Sequence, residues 1–348
     1  MKNSRLLSLF DQLEEEEKLP PHLSATNRIL ICDGMNTFIR SFSGGGGGKF
    51  NSIGHHVSGL TGFLMSLGSA IREIKPTKCI IAWDGEKGSQ SRKYLCRDYK
   101  ANRDNTSIIK KDIFSSKTEE EESKQGQILR LVDYLNCLPV TMIVKPNLEM
   151  DDIAAILVKY LQDKPDTHVY IMSTDQDFYQ LVCDKVTVYK PREKQFINEQ
   201  AVLDKYKVHP ANFSIFKSMN GDTSDNLSGI SGLGEKTIPK LFPALSLPEK
   251  VTLQDIYETC KNKPSKSALY DRILYCKSTL ETMFKIMDLH DVNVSDDDKE
   301  EVIAEYEAKI NLFDKKGFLS LHSEDRLYDT IPNVANWLKT FDLLGSHK

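Results

Sequence analysis

At 348 residues, with 40% hydrophobic content and a formal net charge of -4, the chain can hold one large domain with an appendage, or two domains, around a real core. No apolar run approaches the roughly 20 residues that cross a bilayer, and residues 1–13 hold no uninterrupted signal-peptide core, so a cytoplasmic protein with no membrane contact is expected. Seven cysteines, odd in number and never closely paired, argue against a disulfide framework or a zinc knuckle, and the acidic balance gives no global support for nucleic-acid binding.

In chain order, Leu6, Leu9, Phe10 and Leu13 at helical spacing, followed by Glu14 to Glu17 and the stop Pro20-Pro21, predict an exposed helical extension over residues 1–26. An α/β domain is expected over 27–206. Arg28 to Cys32 predicts a short buried strand ending in Asp33-Gly34-Met35-Asn36. Gly44 to Gly48 are five consecutive glycines, too floppy to hold a conformation without a partner, and no chemistry is assigned to them. Val57, Leu60, Leu64, Leu67, Ile71 and Ile74 repeat at three and four, an amphipathic helix that Pro76 terminates. Lys78 to Trp83 is a second apolar strand, ending in Asp84-Gly85.

From Glu86 to Gln125 periodicity lapses. Arg92, Lys93, Tyr94, Arg97, Tyr99, Lys100 and Arg103 interleave basic and aromatic side chains, and Glu119 to Glu122 closes the segment. A loop longer than about 15 residues inside a compact domain is usually functional or disordered; a solvated surface loop is the plainer alternative. Helix Gln127–Leu138, strand Val140–Val144, helix Asp152–Gln162, strand His168–Met172 and strand Val186–Tyr189 follow, an alternation that predicts a parallel sheet. Ligands of such sheets gather outside the carboxyl ends of the strands, where Asp33, Asp84 and Asp175 all fall. Residues 207–348 read as mostly helical. Within them Phe213 to Met219 leads into Gly221-Asp222-Thr223-Ser224-Asp225-Asn226, and Gly229, Gly232 and Gly234 precede Thr237. Closely spaced glycines let backbone groups approach a phosphate or an ion. Asp296 to Glu301 reads as a solvated acidic helix start or loop.

The stretch from Leu148 to Leu181 organises the rest. It carries Glu149, Asp151, Asp152, Asp175 and Asp177, where one or two acids suffice to cap a helix. Two carboxylates about 4 Å apart repel by roughly 4 kcal/mol at an effective dielectric of about 20. If the two acidic groups converge, the ionised cluster is costly unless cations sit inside it, and oxygen-only ligands indicate Mg²⁺ or Mn²⁺.

Several motifs occur in a shared order: Ile31-Cys32-Asp33-Gly34, Ala82-Trp83-Asp84-Gly85, Tyr99-Lys100-Ala101-Asn102-Arg103, Glu149-Met150-Asp151-Asp152, Ser173-Thr174-Asp175-Gln176-Asp177, and Gly221 to Asn226 before Gly229 to Thr237. Over roughly Ile29 to Lys240 the chain resembles the structure-specific 5′ nucleases: flap endonucleases, the 5′ nuclease domains of bacterial DNA polymerases and, in particular, phage enzymes of the ribonuclease H or 5′-3′ exonuclease type. The resemblance implies a PIN-like, mostly parallel sheet flanked by helices, a helical arch over about 86–125, and a helix-three-turn-helix in the C-terminal region. It implies a site for two Mg²⁺ or Mn²⁺ ions lined by Asp33, Asp84, Glu149, Asp151, Asp152, Asp175, Asp177, Asp222 and Asp225. Lys100 and Arg103 would lie beside the scissile phosphate, Tyr99 near the bases and Arg40 near the 5′ strand. Arg92 and Arg97 in the arch, with Gly229, Gly232, Gly234, Lys236 and Thr237, would contact nucleic acid, and a K⁺ ion would sit on carbonyls of the glycine-rich element.

The implied activity is hydrolysis of phosphodiester bonds at 5′ ends or flaps of DNA, and of RNA primers on DNA, in replication primer removal. A monomer in a bacterial or phage-infected cell is expected, with a single-strand-binding protein or sliding clamp as replication partners. Ser228 and Ser231 stand where the family often has proline, and the five glycines stand where ordinary loop sequence is expected. A PIN-like ribonuclease and a catalytically silent DNA-junction-binding protein are the alternatives. The first lacks the glycine-rich duplex element, and the second needs none of the acids.

Overall fold

Strand β1 (Asn27–Asp33) is buried from Ile29 onward, and its side chains divide by the two-residue period of a strand. Ile29 and Ile31 enter one apolar cluster, Leu30 and Cys32 the other. A strand buried on both faces is the mark of a parallel sheet covered by helices. Helices α1 (Gly34–Ser43) and α2 (Ser58–Ile74) lead to β2 (Lys78–Trp83); α3 (Gln90–Leu95) and α4 (Lys117–Asn136) lead to β3 (Thr141–Val144); α5 (Met150–Gln162) leads to β4 (Thr167–Met172). Strands β5 (Val186–Lys190) and β6 (Gln195–Ile197) complete the sheet in the order β3-β2-β1-β4-β5-β6. All neighbours are parallel except β5 and β6. The structure, a computed structural model, describes residues 24–44, 47–105, 107–262, 267–308 and 312–344. The helix expected over Leu6–Lys18 and two of the five glycines lie outside them.

Because β2 and β3 lie on one side of β1 while β4 and β5 lie on the other, winding reverses between β1 and β4. The crevice at the carboxyl ends of those two strands is the topological switch point, where open α/β sheets bind ligands. Leu60, Leu64, Leu67, Ile71 and Ile74 of α2 pack on one face with Phe38, Phe42 and Phe63. Ile153, Ile156, Leu157 and Leu161 of α5 pack on the other. Each such side chain, fully buried, contributes about 1.5–3 kcal/mol relative to exposure.

Beyond α6 (Glu199–Tyr206) and α7 (Phe213–Asn220), a two-strand hairpin pairs Gly221–Asp222 with Leu227–Ser228. Helices α8 (Leu253–Asn262), α9 (Leu269–Tyr275), α10 (Lys277–Met287) and α11 (Asp296–Glu307) follow, then α12 (Lys315–Glu324) and α13 (Val334–Leu338). The region read from sequence as one helical unit after 207 divides between the two faces. Ile256, Tyr270, Leu280 and Val302 join the α5 side, whereas Phe318, Trp337 and Phe341 return to the α2 side.

Two elements differ from the sequence reading. Helix α4 starts at Lys117, not Gln127: the Ser116 hydroxyl accepts from Glu119 N at 3.1 Å, and Glu119 and Glu120 occupy the first turn. Acids there are favoured by the helix dipole, so the run Glu119 to Glu122 begins a helix instead of closing a loop. The short antiparallel β6 carries too few residues to show a period.

Candidate active site

The ends of β1 and β4 are stitched across the switch point. Asp33 caps α1, accepting from Asn36 N at 3.0 Å through Oδ1, and its Oδ2 accepts from the Ser173 hydroxyl at 2.9 Å. Asn36 Oδ1 accepts from the Thr174 hydroxyl at 3.0 Å. Ser173 also accepts from Asp175 N at 3.1 Å, and Asp175 Oδ1 accepts from Asp177 N at 3.0 Å, so the loop after β4 is folded by its own acids. Asp84, exposed after β2, accepts from Met150 N at 2.8 Å and anchors the start of α5.

Glu149 stands at that start, nearly solvent-free. Its carboxylate meets Arg92 Nη1 at 2.5 Å, the Tyr99 hydroxyl at 3.0 Å and Lys100 Nζ. Asp152 has both oxygens taken: Arg92 donates to it at 2.7 and 3.1 Å, and Glu149 N at 2.9 Å. Arg92 Nε donates to Ile286 O of α10 at 3.1 Å, so one guanidinium joins the arch, α5 and α10. On the opposite wall Lys217 of α7, buried, lies 2.8 Å from Asp177 Oδ1 and 2.5 Å from Asp222 Oδ2. The Asp177 contact is an ion pair without an aligned hydrogen bond. Arg103 Nη2 lies 2.7 Å from Asp225 Oδ1. Asp175, Asp222, Lys217 and Asn36 line one cleft of about 380 Å³.

The titration behaviour separates the acids into two sets. Burial pushes Asp33 up to about 7 against the hydrogen bonds from Asn36 and Ser173, and the charges of Asp84 and Asp175 push the same way. Burial and Asp175 push Asp177 up to about 7 despite Lys217. Burial raises Asp151, with Asp175 adding to it, and burial raises Asp175, with Asp225 and Asp222 adding to it. For Glu149 and Asp222 burial acts upward too, but Arg92 and Lys100 in the first case, and Lys217 and Ser224 in the second, outweigh it and hold them below the ordinary carboxylate range. Nine carboxylates thus face four cations, Arg92, Lys100, Arg103 and Lys217.

Those four side chains supply part of the positive charge that such crowding needs. Among the described residues no group of three or more acidic, His or Cys side chains is gathered closely enough to hold an ion as it stands. The remaining donor set nevertheless fits a hard cation. It is all oxygen, it carries an excess of five formal negative charges, and four of its carboxyls are raised.

The hairpin at Gly221 brings Asp222 into that cleft and Asp225 near enough for its charge to act on Asp175. Its backbones approach so closely that a Cβ on Gly229 would meet Asn220 O at 2.1 Å, and one on Gly221, at φ +82, would meet Gly229 N at 2.2 Å. Lys100 is held at φ +57, uncommon for a side chain with Cβ, by its N donating to Asp225 O at 2.9 Å. Asn226 Nδ2 donates to Asp98 O at 2.8 Å, so the base of the arch is zipped to the hairpin turn.

Among the expected nucleic-acid contacts, Arg40, Arg97, Gly232 and Lys236 are exposed, and Gly229, Gly234 and Thr237 half-buried along the glycine-rich turn. Arg92 is 8% exposed and paired with Glu149 and Asp152, where it braces the site. Tyr99 is 2% exposed with its hydroxyl on Glu149. Asp152, expected to line a metal site, is turned to Arg92 and to capping. Sequence reasoning missed Lys217. The signal available was a lone lysine inside the apolar run Phe213 to Met219, five residues before Asp222, where a charge survives burial only if paired.

A parallel α/β sheet with acids gathered at its switch point defines a resolvase- or PIN-like fold. Residues 28–207, just over half of the chain, match the family described as 5'-3' exonuclease, N-terminal resolvase-like domain, and the chain belongs to that family of phosphodiester-hydrolysing nucleases. Similar proteins include the thermostable DNA polymerase I of Thermus thermophilus, 32% identical over 227 residues covering 65% of this chain and 25% of that protein. DNA polymerase I of Bacillus subtilis is 30% identical over 251 residues, 69% of this chain and 26% of its own length. The chain spans about a quarter of the length of the curated relatives it matches. In fold it is similar to the T5 D15 protein co-crystallised with metal ions (TM-score 0.60, 18% identity, covering 86% of this chain and 98% of that one). It is similar also to flap endonuclease-1 from Methanococcus jannaschii (TM-score 0.55, 14% identity, 95% and 96% covered).

Proposed function

We propose that the chain is a divalent-metal-dependent 5′ nuclease that hydrolyses phosphodiester bonds at 5′ ends or flaps of DNA, and of RNA primers paired with DNA, in replication primer removal. The observation that carries this reading is geometric: Asp33, Asp175 and Asp177 are bound together across the ends of β1 and β4, beside a cleft lined by Asp175 and Asp222, and more carboxylates gather there than the four basic side chains that pair with them. Two Mg²⁺ or Mn²⁺ ions would bring four positive charges to an excess of five negative ones. When bound, such ions activate water and stabilise the leaving oxygen. Asp33, Asp84, Asp151, Asp175, Asp177, Asp222 and Asp225 are the residues that would hold them.

Lys100 and Arg103 reach the cleft from the arch, where their charges neutralise a scissile phosphate once they leave Glu149 and Asp225. The turn from Gly229 to Thr237, with Lys236 and backbone amides, receives the duplex backbone, and a K⁺ ion on its carbonyls is part of this reading. Phosphate contacts are local and independent of sequence, which is how a net acidic chain holds DNA. A cytoplasmic monomer working beside a single-strand-binding protein or sliding clamp completes the proposal.

The test is Asp175→Ala with Asp177→Ala, assayed with Mg²⁺ on a labelled 5′ flap. Cleavage is expected to vanish, and undiminished cleavage would end the assignment. A panel of flap, nicked, blunt and RNA-primed duplexes then sets the substrate preference, and equal activity on free single-stranded RNA would overturn the structure-specific reading.

A further inference from the structure

Within the glycine-rich element, residues 230–233 form a β-turn whose ends are fixed by the core and whose middle is not. Ile230 and Leu233 are buried on the α5 side, Ile230 N donates to Met219 O of α7 at 2.9 Å, and Leu233 N closes the turn on Ile230 O at 2.9 Å. Gly232 has φ +85 while Ser231 keeps a negative φ, which defines a type II turn with glycine at the position that needs it. Between the buried ends the Ser231–Gly232 peptide stands exposed. Glycine tolerates either sign of φ, so residue type alone leaves this peptide free to flip to the type I arrangement, which turns its carbonyl and its N–H over together.

One side chain opposes that flip. Arg272 of α9 donates from Nη1 to Ser231 O at 2.6 Å, and among the described residues its guanidinium has no other polar partner. The packing is close: a Cβ on Gly232 would lie 3.1 Å from the same nitrogen and 3.0 Å from Leu269 Cδ2. A trans peptide points its C=O and its N–H in opposite directions. With the carbonyl turned to Arg272, the Gly232 N–H faces away from α9, and among the described residues it has no acceptor.

We propose that Arg272 is a positioning residue for duplex binding: by holding the Ser231 carbonyl it keeps the Gly232 N–H turned outward as a donor to a backbone phosphate. Ser231 stands where a proline ring would preset φ at this turn position. Here a guanidinium 41 residues further along the chain supplies the restraint through a charge-assisted hydrogen bond. No local spacing connects the two residues. The inference rests on the reading that the turn from Gly229 to Thr237 receives the duplex backbone, and it adds the residue that sets the conformation of that turn.

The experiment measures binding in EDTA by fluorescence anisotropy, so that no cleavage enters. It compares the wild-type chain, R272A and R272A/S231P on a nicked duplex and on a single-stranded oligonucleotide. R272A is expected to bind the duplex about fivefold more weakly, the scale of one lost hydrogen bond to a charged group, and the single strand as before. The salt dependence of log K should keep its wild-type slope, and R272A/S231P should regain part of the lost affinity. Unchanged duplex binding, equal loss on the single strand, or no recovery with proline overturns the proposal. A slope shallower by about 0.9 also overturns it, because it makes Arg272 itself a phosphate contact on the duplex. The melting temperature checks each fold, and R272K, which keeps a donor, replaces the proline arm if the double variant is unstable. A wild-type chain that prefers no duplex would sink the reading of the turn, whereas a preference that R272A shares in full sinks this inference alone.

Discussion

Arg92 lies in a basic and aromatic stretch whose composition suggests a ligand-facing surface, yet its guanidinium is enclosed by Glu149, Asp152 and Ile286 O. Breaking a buried pair leaves the other charge uncompensated, at a cost of about 3–5 kcal/mol. Arg92→Ala should lower stability in urea denaturation by about that much, and Arg92→Lys should recover only part of it, because an ammonium lacks the fork that engages two carboxylates. Arg97→Ala, on the exposed side of the same stretch, should change stability by less than about 0.5 kcal/mol. For Lys100→Ala the expectation in single-turnover assays is slower cleavage with a modest loss of binding. A drop confined to affinity would move Lys100 from chemistry to docking. At this scale the acids were legible in the sequence and their partners were not: Lys217 and Arg92 acquire their roles from neighbours 5 to 60 residues away.

The hairpin after α7 is an element whose local sequence dictates its geometry. Gly221 and Gly229 are required by backbone contact, Asp222 folds the turn by accepting from Ser224 N at 2.8 Å, and Leu227 packs under it with Tyr99. Gly229→Ala is expected to displace Asp222 and Asp225 and weaken duplex binding and cleavage together, with far-ultraviolet circular dichroism unchanged. Gly126→Ala, whose Cβ enters open space on the exposed face of α4, is the control and should leave both near wild type. Loss of neither function in Gly229→Ala would detach the hairpin from the site. Helix α4 shows the opposite case. Its first ten residues are all polar or glycine and lack an apolar stripe, so periodicity missed them, whereas the Ser116 cap and the Glu120 pair with Lys124 at 2.8 Å hold them helical.

Over the whole molecule the charge balance at the switch point makes stability depend on pH. Asp33 and Asp177, raised to about 7 in the folded chain from an ordinary 3.8, keep protons that the unfolded chain releases. Their ionisation therefore costs stability progressively as pH rises from about 4 to 7. Glu149 and Asp222 are shifted downward and work in the opposite sense, with stability that is present above their ordinary values and lost only at lower pH. In EDTA the melting temperature should fall between about pH 5 and pH 7, and Asp33→Asn should flatten that slope. Ion binding at a hundredfold excess over its dissociation constant should add about 2.7 kcal/mol. A melting temperature indifferent to saturating Mn²⁺ would count against the metal assignment.

The amino-acid sequence alone determined the alternation of apolar strands and helices, the acids that follow the strands, and the glycines that a tight backbone crossing needs, because each is written in local spacing. Only the tertiary structure decided which cations answer those acids, that Tyr99 and Arg92 turn inward, that the last helices return to the α2 face, and that Arg272 meets the Ser231 carbonyl. Those outcomes depend on contacts between distant segments, whose burial and charge exist only once the sheet has assembled.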